Sequence, residues 1–169
     1  MTRAVLSLGS NLGDRLAHLR AVVDDLGDAL LAASPVYETQ PWGGVEQGPF
    51  LNAVVVADDP ADDAWGWLRR GQRLEAAAGR VREVRWGPRT LDVDVVTVED
   101  AGGPVRSDHP DLLLPHPGTP ERATVLRPWL DADPDAVLPG LGTVAELLAA
   151  LGPAAERCMV RRDDLRLLP

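Results

Sequence analysis

Apolar positions along this chain change from strand spacing to helix spacing and back, and these changes predict its elements. Residues 4–9 form a short apolar run that predicts a buried strand, ended by the turn-forming residues 10–13. Asp14 is a suitable N-cap for the helix that follows. That helix is indicated by apolar residues at helical spacing, namely Leu16, Leu19, Val22, Val23, Leu26 and Leu30.

Three more strands and a second helix are predicted beyond this point. Residues 34–39 are β-branched and aromatic in character, 40–49 predict a Gly- and Pro-rich loop, and 50–57 predict a strand. A helix is expected over 62–78, then a loop at 80–88 and a strictly alternating strand at 90–98. Short helices are expected near 120–127 and 143–151, and the tail after Pro153 receives no assignment.

The order strand–helix–strand–strand–helix–strand is that of the split βαβ arrangement. It predicts an α+β fold with a ferredoxin-like βαββαβ core, one antiparallel sheet with its helices on one face, and added C-terminal helices. A chain of 169 residues is expected to form a single domain over 1–169. Since no apolar run approaches the roughly 20 residues of a membrane span and no signal peptide is apparent, we expect a cytoplasmic protein.

The charge of the chain is acidic overall and basic in one place. A net charge of −9 argues against a nucleic-acid partner, and the single Cys158 excludes an intramolecular disulfide and a Cys-based metal cage. Nevertheless, four basic residues crowd into ten positions: Arg80, Arg82, Arg85 and Arg89. A local basic patch of this kind predicts a small, highly charged anion as ligand.

Asp92 and Asp94 are the strongest candidates for chemistry. Residues two apart in a strand point to the same face, about 7 Å apart, and adjacent carboxylates repel unless a cation neutralises them. Such oxygen ligands suit Mg²⁺, and neighbouring guanidinium groups suit phosphate oxygens. The pattern predicts a triphosphate site for phosphoryl-type transfer. The alternative is a solvated strand face whose acids pair with surface arginines.

Other candidates lie in or beside the predicted loops. His116 stands between two prolines in a stiff segment and could hydrogen-bond a phosphate, although a surface histidine is the simpler interpretation. Asn52 offers a donor and an acceptor that match the amide edge of a heterocycle, and Trp42 and Phe50 could supply a flat wall. By themselves, these three residues favour the simpler interpretation of a buried aromatic and a strand-capping Asn.

Taken together, the motifs resemble the 6-hydroxymethyl-7,8-dihydropterin pyrophosphokinase family. The matching segments run in family order over about residues 4–130: LSLGSNLGDR at 6–15, SPVYETQPWGGVEQGPFLNAVV at 34–55, QRLEAAAGRVR at 72–82, RWGPRTLDVDVV at 85–96, and LPHP with Arg122 at 114–122. The resemblance implies the ferredoxin-like fold and transfer of the β,γ-pyrophosphate of ATP to a pterin alcohol, giving AMP, in folate synthesis.

The resemblance also implies roles for individual residues. Asp92 and Asp94 match aspartates that hold two Mg²⁺ ions, and Arg82 and Arg89 are expected closest to the transferred group, so these four form the catalytic set. Together with Arg80 from the basic cluster, the expected ATP site comprises Gln72, Glu75, Arg82, Trp86, Arg89, Val95, His116 and Arg122. The expected pterin pocket comprises Thr39, Gln40, Trp42, Phe50 and Asn52. The chain is expected to act as a monomer, without nucleic-acid or membrane partners.

One departure from the family pattern affects the pterin pocket, and two other functions compete with this one. Thr124 stands where the family usually has an aromatic residue, so the pterin face is expected to be covered by Trp42 or Phe50, or bound more weakly. A nucleotidyltransferase also pairs a Gly-Ser turn with two aspartates, but there the two elements lie within one hairpin. A non-catalytic ferredoxin-like binding module would not require arginines beside a carboxylate pair.

Overall fold

The computed structural model describes residues 2–40, 47–80 and 88–169. Its first half contains the expected alternation of strands and helices: β1 (Arg3–Ser10), α1 (Arg15–Leu26), β2 (Leu30–Ala33), β3 (Tyr37–Thr39), β4 (Phe50–Asp58) and α2 (Ala64–Ala77). The second half contains β5 (Asp92–Asp100), β6 (Gly103–Pro104), β7 (Ser107–His109), β8 (Leu112–Leu114), α3 (Ala123–Ala132), β9 (Val137–Leu138), β10 (Gly142–Thr143), α4 (Val144–Leu151) and β11 (Met159–Arg161).

The larger strands form one antiparallel sheet of seven described strands. They run in the order β11–β3–β4–β1–β5–β6, and β2 also pairs with β4. The central strand β1 pairs with β4 on one side and with β5 on the other. The N-terminal ends of β4 and β5 therefore meet the C-terminal end of β1 at one end of the sheet, where the predicted chemical groups lie.

Helices cover both faces of this sheet, which corrects the expectation that they share one face. One core cluster joins α1 and α2 to alternate strand residues that include Leu6, Leu51 and Val93. A second cluster joins α3 and α4 to the residues of the opposite parity, among them Val54 and Val96. The period of two along each strand assigns every side chain to one of these faces.

Two local boundaries differ from the sequence prediction for identifiable reasons. The first helix ends at Leu26 because Gly27, at φ 50°, interrupts it, and Leu30 begins a strand instead of continuing the helical stripe. The unassigned tail contains β11, which pairs with β3 through Met159–Thr39 and Arg161–Tyr37. This edge strand has only three residues, so the pattern of apolar and polar residues alone could not predict it. Among the described helices, none is long and apolar enough to cross a membrane.

Candidate functional site

Strand register brings the two predicted halves of the site onto one face of the sheet. Gly9 of β1 is paired with Asn52 on one side and with Asp92 on the other, and Asn52 is also paired with Tyr37. These four residues form a row across β3, β4, β1 and β5, which we call the cleft row. In the next row, Asp94 is paired with Ser7. Both aspartates therefore share the α3/α4 face with Asn52.

Asp92 is held by two arginines. The Arg80 Nη1 donates to Asp92 Oδ1 at 2.7 Å, and the Arg89 Nη1 donates to Asp92 Oδ2 at 2.9 Å. The Arg80 side chain is only 10 % exposed, so its ion pair is shielded from water. The structure thus brings three of the predicted residues together at the start of β5, with the guanidinium groups balancing the carboxylate.

Glu75 connects this cluster to the other face of the sheet. Its Oε2 accepts from Arg80 Nη1 at 2.5 Å, and its Oε1 accepts from the Val93 backbone N–H at 3.3 Å. Glu75 is buried on α2. Its bond to the Val93 N–H satisfies the backbone of β5 at a position where the described chain provides no neighbouring strand on that side. Burial raises the cost of an unpaired charge. In this structure Glu75 therefore positions Arg80 and the β5 backbone.

Asp94 is in a different electrostatic position from Asp92. Burial raises the pKa of the Asp94 carboxyl, the negative charge of Asp92 raises it further, and His116, Arg122 and Arg89 oppose the rise. Among the described residues, none forms a hydrogen bond or an ion pair with the Asp94 side chain. Asp94 therefore combines a costly negative charge with nearby positive groups, which is the electrostatic setting of a cation or phosphate site.

The His116 segment lies against the outer edge of β5. The His116 backbone N–H donates to Val96 O at 2.8 Å, and the Thr119 hydroxyl donates to His116 O at 2.7 Å. The ring Nδ1 lies 2.8 Å from Pro117 O. Backbone contacts therefore fix the histidine beside Asp94, and Arg122 follows at the N-terminal end of α3. The sequence prediction that both contribute to one site is consistent with this arrangement.

The pterin-side candidates lie at the other end of the cleft row. Asn52 Nδ2 donates to the buried Thr39 Oγ1 at 2.6 Å, which orients the amide. Phe50 is partly exposed beside them, and Gln40 is exposed at the end of β3. A Cβ added to Gly9 would lie 3.2 Å from Asn52 Oδ1 and 3.7 Å from the Phe50 ring. Gly9 therefore keeps the floor between the two halves open.

Asn11 is a site residue that the sequence analysis missed. Its Oδ1 accepts from the Arg89 backbone N–H at 2.7 Å, while its Nδ2 donates to Gln47 Oε1 at 2.9 Å and to Gly48 O at 3.0 Å. One buried amide thus joins the end of β1 to the segment before β4 and to the segment before β5. The only available signal was its position in a turn, and turns commonly use Asn for local reasons.

Two of the described candidates are not part of this cluster of side chains. Gln72 is exposed on α2, and Val95 packs into the core on the α1/α2 face. Trp42, Arg82, Arg85 and Trp86 lie outside the described residues. The loops predicted at 40–49 and 80–88 fall mostly in the same gaps. Among the residues that the structure describes, no group of three or more His, Cys, Asp or Glu side chains could hold a metal ion.

Comparison with known proteins identifies relatives over nearly the whole chain. Residues 5–134 match the family model of 7,8-dihydro-6-hydroxymethylpterin-pyrophosphokinase (HPPK). Two curated relatives carry the name 2-amino-4-hydroxy-6-hydroxymethyldihydropteridine pyrophosphokinase. The Mycobacterium tuberculosis protein is 55% identical over 175 residues, covering 99% of this chain and 90% of its own. The Mycobacterium leprae protein is 54% identical over 176 residues, covering 99% and 92%.

Solved structures support the same fold at much lower identity. A crystal structure of Plasmodium falciparum HPPK-DHPS matches with a TM-score of 0.68 and 14% identity, over 95% of this chain. The match covers 47% of that chain, so this protein spans about half the length of the solved relative. At this identity the likeness concerns the fold alone.

Proposed function

Because the chain belongs to the 7,8-dihydro-6-hydroxymethylpterin-pyrophosphokinase family, we propose that it transfers pyrophosphate from ATP to 6-hydroxymethyl-7,8-dihydropterin in folate biosynthesis. The observation that carries the proposal is the cleft row. Asp92 and Asn52 belong to its opposite halves and are separated only by Gly9. An anionic and a heterocyclic substrate would therefore meet over a residue without a side chain.

The reaction requires one bond to form and one to break. The hydroxymethyl oxygen attacks the β-phosphorus of ATP, and the bond from that phosphorus to the oxygen bridging to the α-phosphorus breaks. AMP leaves with the bridging oxygen, and the hydroxyl proton passes to solvent. Positioning and charge balance dominate such transfers, so no side chain is needed as a covalent nucleophile.

We propose that Asp92 and Asp94 bind Mg²⁺, with two ions implied by the family resemblance. The donors fit, because both are carboxylates on one face, and burial together with the negative charge of Asp92 raises the pKa of Asp94, which a bound cation would oppose. Bound Mg²⁺ would neutralise charge on the triphosphate. Two protein carboxylates are sufficient when phosphate oxygens and water complete the coordination.

The arginines and His116 are proposed to hold the triphosphate. Arg80 and Arg89 already lie at Asp92, and Arg122 and His116 act electrostatically on Asp94. These groups around the carboxylate pair would bind phosphate oxygens and stabilise charge in the transition state. Proposed ATP contacts of Gln72, Glu75, Arg82, Trp86 and Val95, and the catalytic part of Arg82, rest on the resemblance.

The pterin is proposed to lie at Asn52. The amide is oriented by Thr39, so its free oxygen and its second N–H can pair with the donor and acceptor edge of the ring. Phe50 is the described candidate for stacking, and Gln40 lies at the open end of β3. Trp42 is proposed for the same pocket on the basis of the resemblance.

We further infer a single pyrophosphokinase domain over residues 1–169 with a ferredoxin-like core. The described order β3–β4–β1–β5, with α1 and α2 as crossovers, supports it. We expect a monomer working in the cytoplasm, where ATP is available. Size-exclusion chromatography with light scattering at several concentrations would detect a dimer.

A nucleotide assay tests the proposed function. Purified protein is incubated with ATP, Mg²⁺ and hydroxymethyl-dihydropterin, and the nucleotides are separated by chromatography. AMP formation that requires both the pterin and the metal is expected, and chelation should abolish it. Asp94→Asn should lose turnover, whereas Glu99→Gln, which removes an exposed acid on the same strand, should retain it. Pterin-independent ATP cleavage, or pyrophosphate release with another acceptor, would refute the proposal.

A further inference from the structure

A chain of polar contacts outside the predicted site joins α3 to the sheet. The Tyr37 hydroxyl donates to Asp131 Oδ2, and Arg127 Nη2 donates to Asp131 Oδ1 at 2.5 Å. The Arg127 Nε also lies 3.9 Å from Glu156 Oε1. We call Tyr37, Asp131 and Arg127 the α3 clamp. Tyr37 is buried, and burial together with the Asp131 contact raises its pKa to about 12, so the hydroxyl stays a donor.

The clamp lies at the pterin end of the cleft row. Tyr37 is paired with Asn52, so its ring occupies the position next to the amide on the same face of the sheet. Thr124, Arg127 and Asp131 follow one another at spacings of three and four residues, which puts them on one side of α3. Thr124, at the family's usual stacking position, therefore shares a helix side with the clamp.

Helix α3 packs mainly against β4, and side chains at its two ends reach toward opposite halves of the site. Its first end acts on Asp94 of β5 through Arg122, and its last turn contacts Tyr37 of β3 through Asp131. Arg122 and Asp131 are nine positions apart, which corresponds to about 14 Å along the helix axis, and three strand spacings from β5 to β3 also amount to about 14 Å. The helix thus forms a wall beside the cleft row, and the clamp fixes its pterin end.

We propose that Tyr37, Asp131 and Arg127 are positioning residues that set the width of the pterin side of the cleft by holding the end of α3 against β3. The inference rests on the proposed function. The clamp lies at the Asn52 end of the cleft row, whereas Arg80 and Arg89 lie at Asp92 at the other end, so loss of the clamp should impair pterin binding while ATP binding is retained. Loosening of the last turn of α3 alters the wall that the pterin faces. It leaves Arg80 and Arg89 in place, and Arg122 lies at the opposite end of the helix.

The test is a kinetic comparison of Tyr37→Phe, Asp131→Asn and the double variant. Each single variant should raise the KM for the pterin about three- to tenfold, while the KM for ATP and kcat change less than twofold. Because the clamp acts as one unit, the double variant should be little worse than either single variant. Asp25→Asn is the matched control, since it breaks the Arg70 and Arg73 pairs on the opposite face.

The control separates a positioning role from a general loss of stability. Asp25→Asn should lower the melting temperature without changing the ratio of the two KM values. If Tyr37→Phe and Asp131→Asn also leave that ratio unchanged, or raise both KM values equally, the inference is wrong while the proposed function stands. A wild-type enzyme that makes no AMP from ATP and pterin would overturn both. Calorimetric titration with pterin in the presence of a non-hydrolysable ATP analogue provides the same comparison without turnover.

Discussion

Adding a single methyl group at Gly9 should impair the pterin half of the site selectively. The Cβ of Gly9→Ala would lie 3.2 Å from Asn52 Oδ1, closer than an ordinary contact, and its other near neighbour is the Phe50 ring at 3.7 Å. The Asn52 amide must therefore shift by a few tenths of an ångström. Its hydrogen bond to Thr39 Oγ1, 2.6 Å long, defines the orientation that would be disturbed.

The expected magnitude follows from one impaired hydrogen bond. Such a bond contributes about 0.5–1.5 kcal/mol, which corresponds to a rise of roughly two- to thirteenfold in the KM for the pterin at about 1.36 kcal/mol per decade. The Gly9 backbone is outside the left-handed region, so alanine can adopt it. The lower chain entropy of the unfolded state, about 0.4–1 kcal/mol, should offset most of the cost of the impaired Asn52–Thr39 bond and leave the stability nearly unchanged.

Steady-state kinetics with each substrate varied, together with a melting curve, would measure both effects. The matched control is Gly71→Ala, whose Cβ would approach Val93 at 3.1 Å on the opposite face of the sheet. It should lower the melting temperature and leave the ratio of the two KM values unchanged. If Gly9→Ala leaves the pterin KM unaltered, or raises the ATP KM by the same factor, the cleft row does not separate the two substrates.

Two further predictions concern the charged half of the site. Arg80→Gln should reduce the free energy of unfolding, measured in urea, by about 3 kcal/mol, because it removes a shielded guanidinium from Asp92 and the buried Glu75. The control is Arg73→Gln, since the Arg73 side chain is 60 % exposed and has one partner, and it should cost less than about 0.5 kcal/mol. Equal losses in the two variants would contradict this prediction. Asp94→Asn should stabilise the metal-free protein increasingly as the pH rises above about 4, the pKa of an unfolded Asp, because the folded pKa of Asp94 is raised and its ionisation disfavours folding. Melting curves in chelator that show a pH-independent difference would refute this.

The alternation of apolar and polar residues was sufficient to predict which face of the sheet each side chain of β5 occupies. Leu91, Val93 and Val95 are buried on one face, and Asp92 and Asp94 lie on the other, as a period of two requires. The two central helices could be predicted for the same reason. The faces covered by α3 and α4 could not, because an apolar helical stripe does not identify the side of the sheet on which it packs.

Contacts between distant segments account for the rest of what the sequence did not reveal. Asn11 bonds to residues 36, 37 and 78 positions away, and nothing within its own turn distinguishes it from an ordinary turn residue. β11 is similar, because three residues with exposed Val160 form a strand only when β3 supplies a partner edge. Such features depend on partner geometry, which local propensity does not encode.

The geometry of the cleft row depends both on local sequence patterns and on the register between strands. Local patterns identified Asp92 and Asn52 as candidates, yet their separation depends on the register of two strand pairs that both include Gly9. A register shift of one residue would turn these side chains to the opposite face of the sheet, where α1 and α2 pack. The same register also brings Tyr37 beside Asn52. The apolar contacts that bury β1 on both faces therefore also align the polar groups, so that core packing and the geometry of the proposed site are determined together.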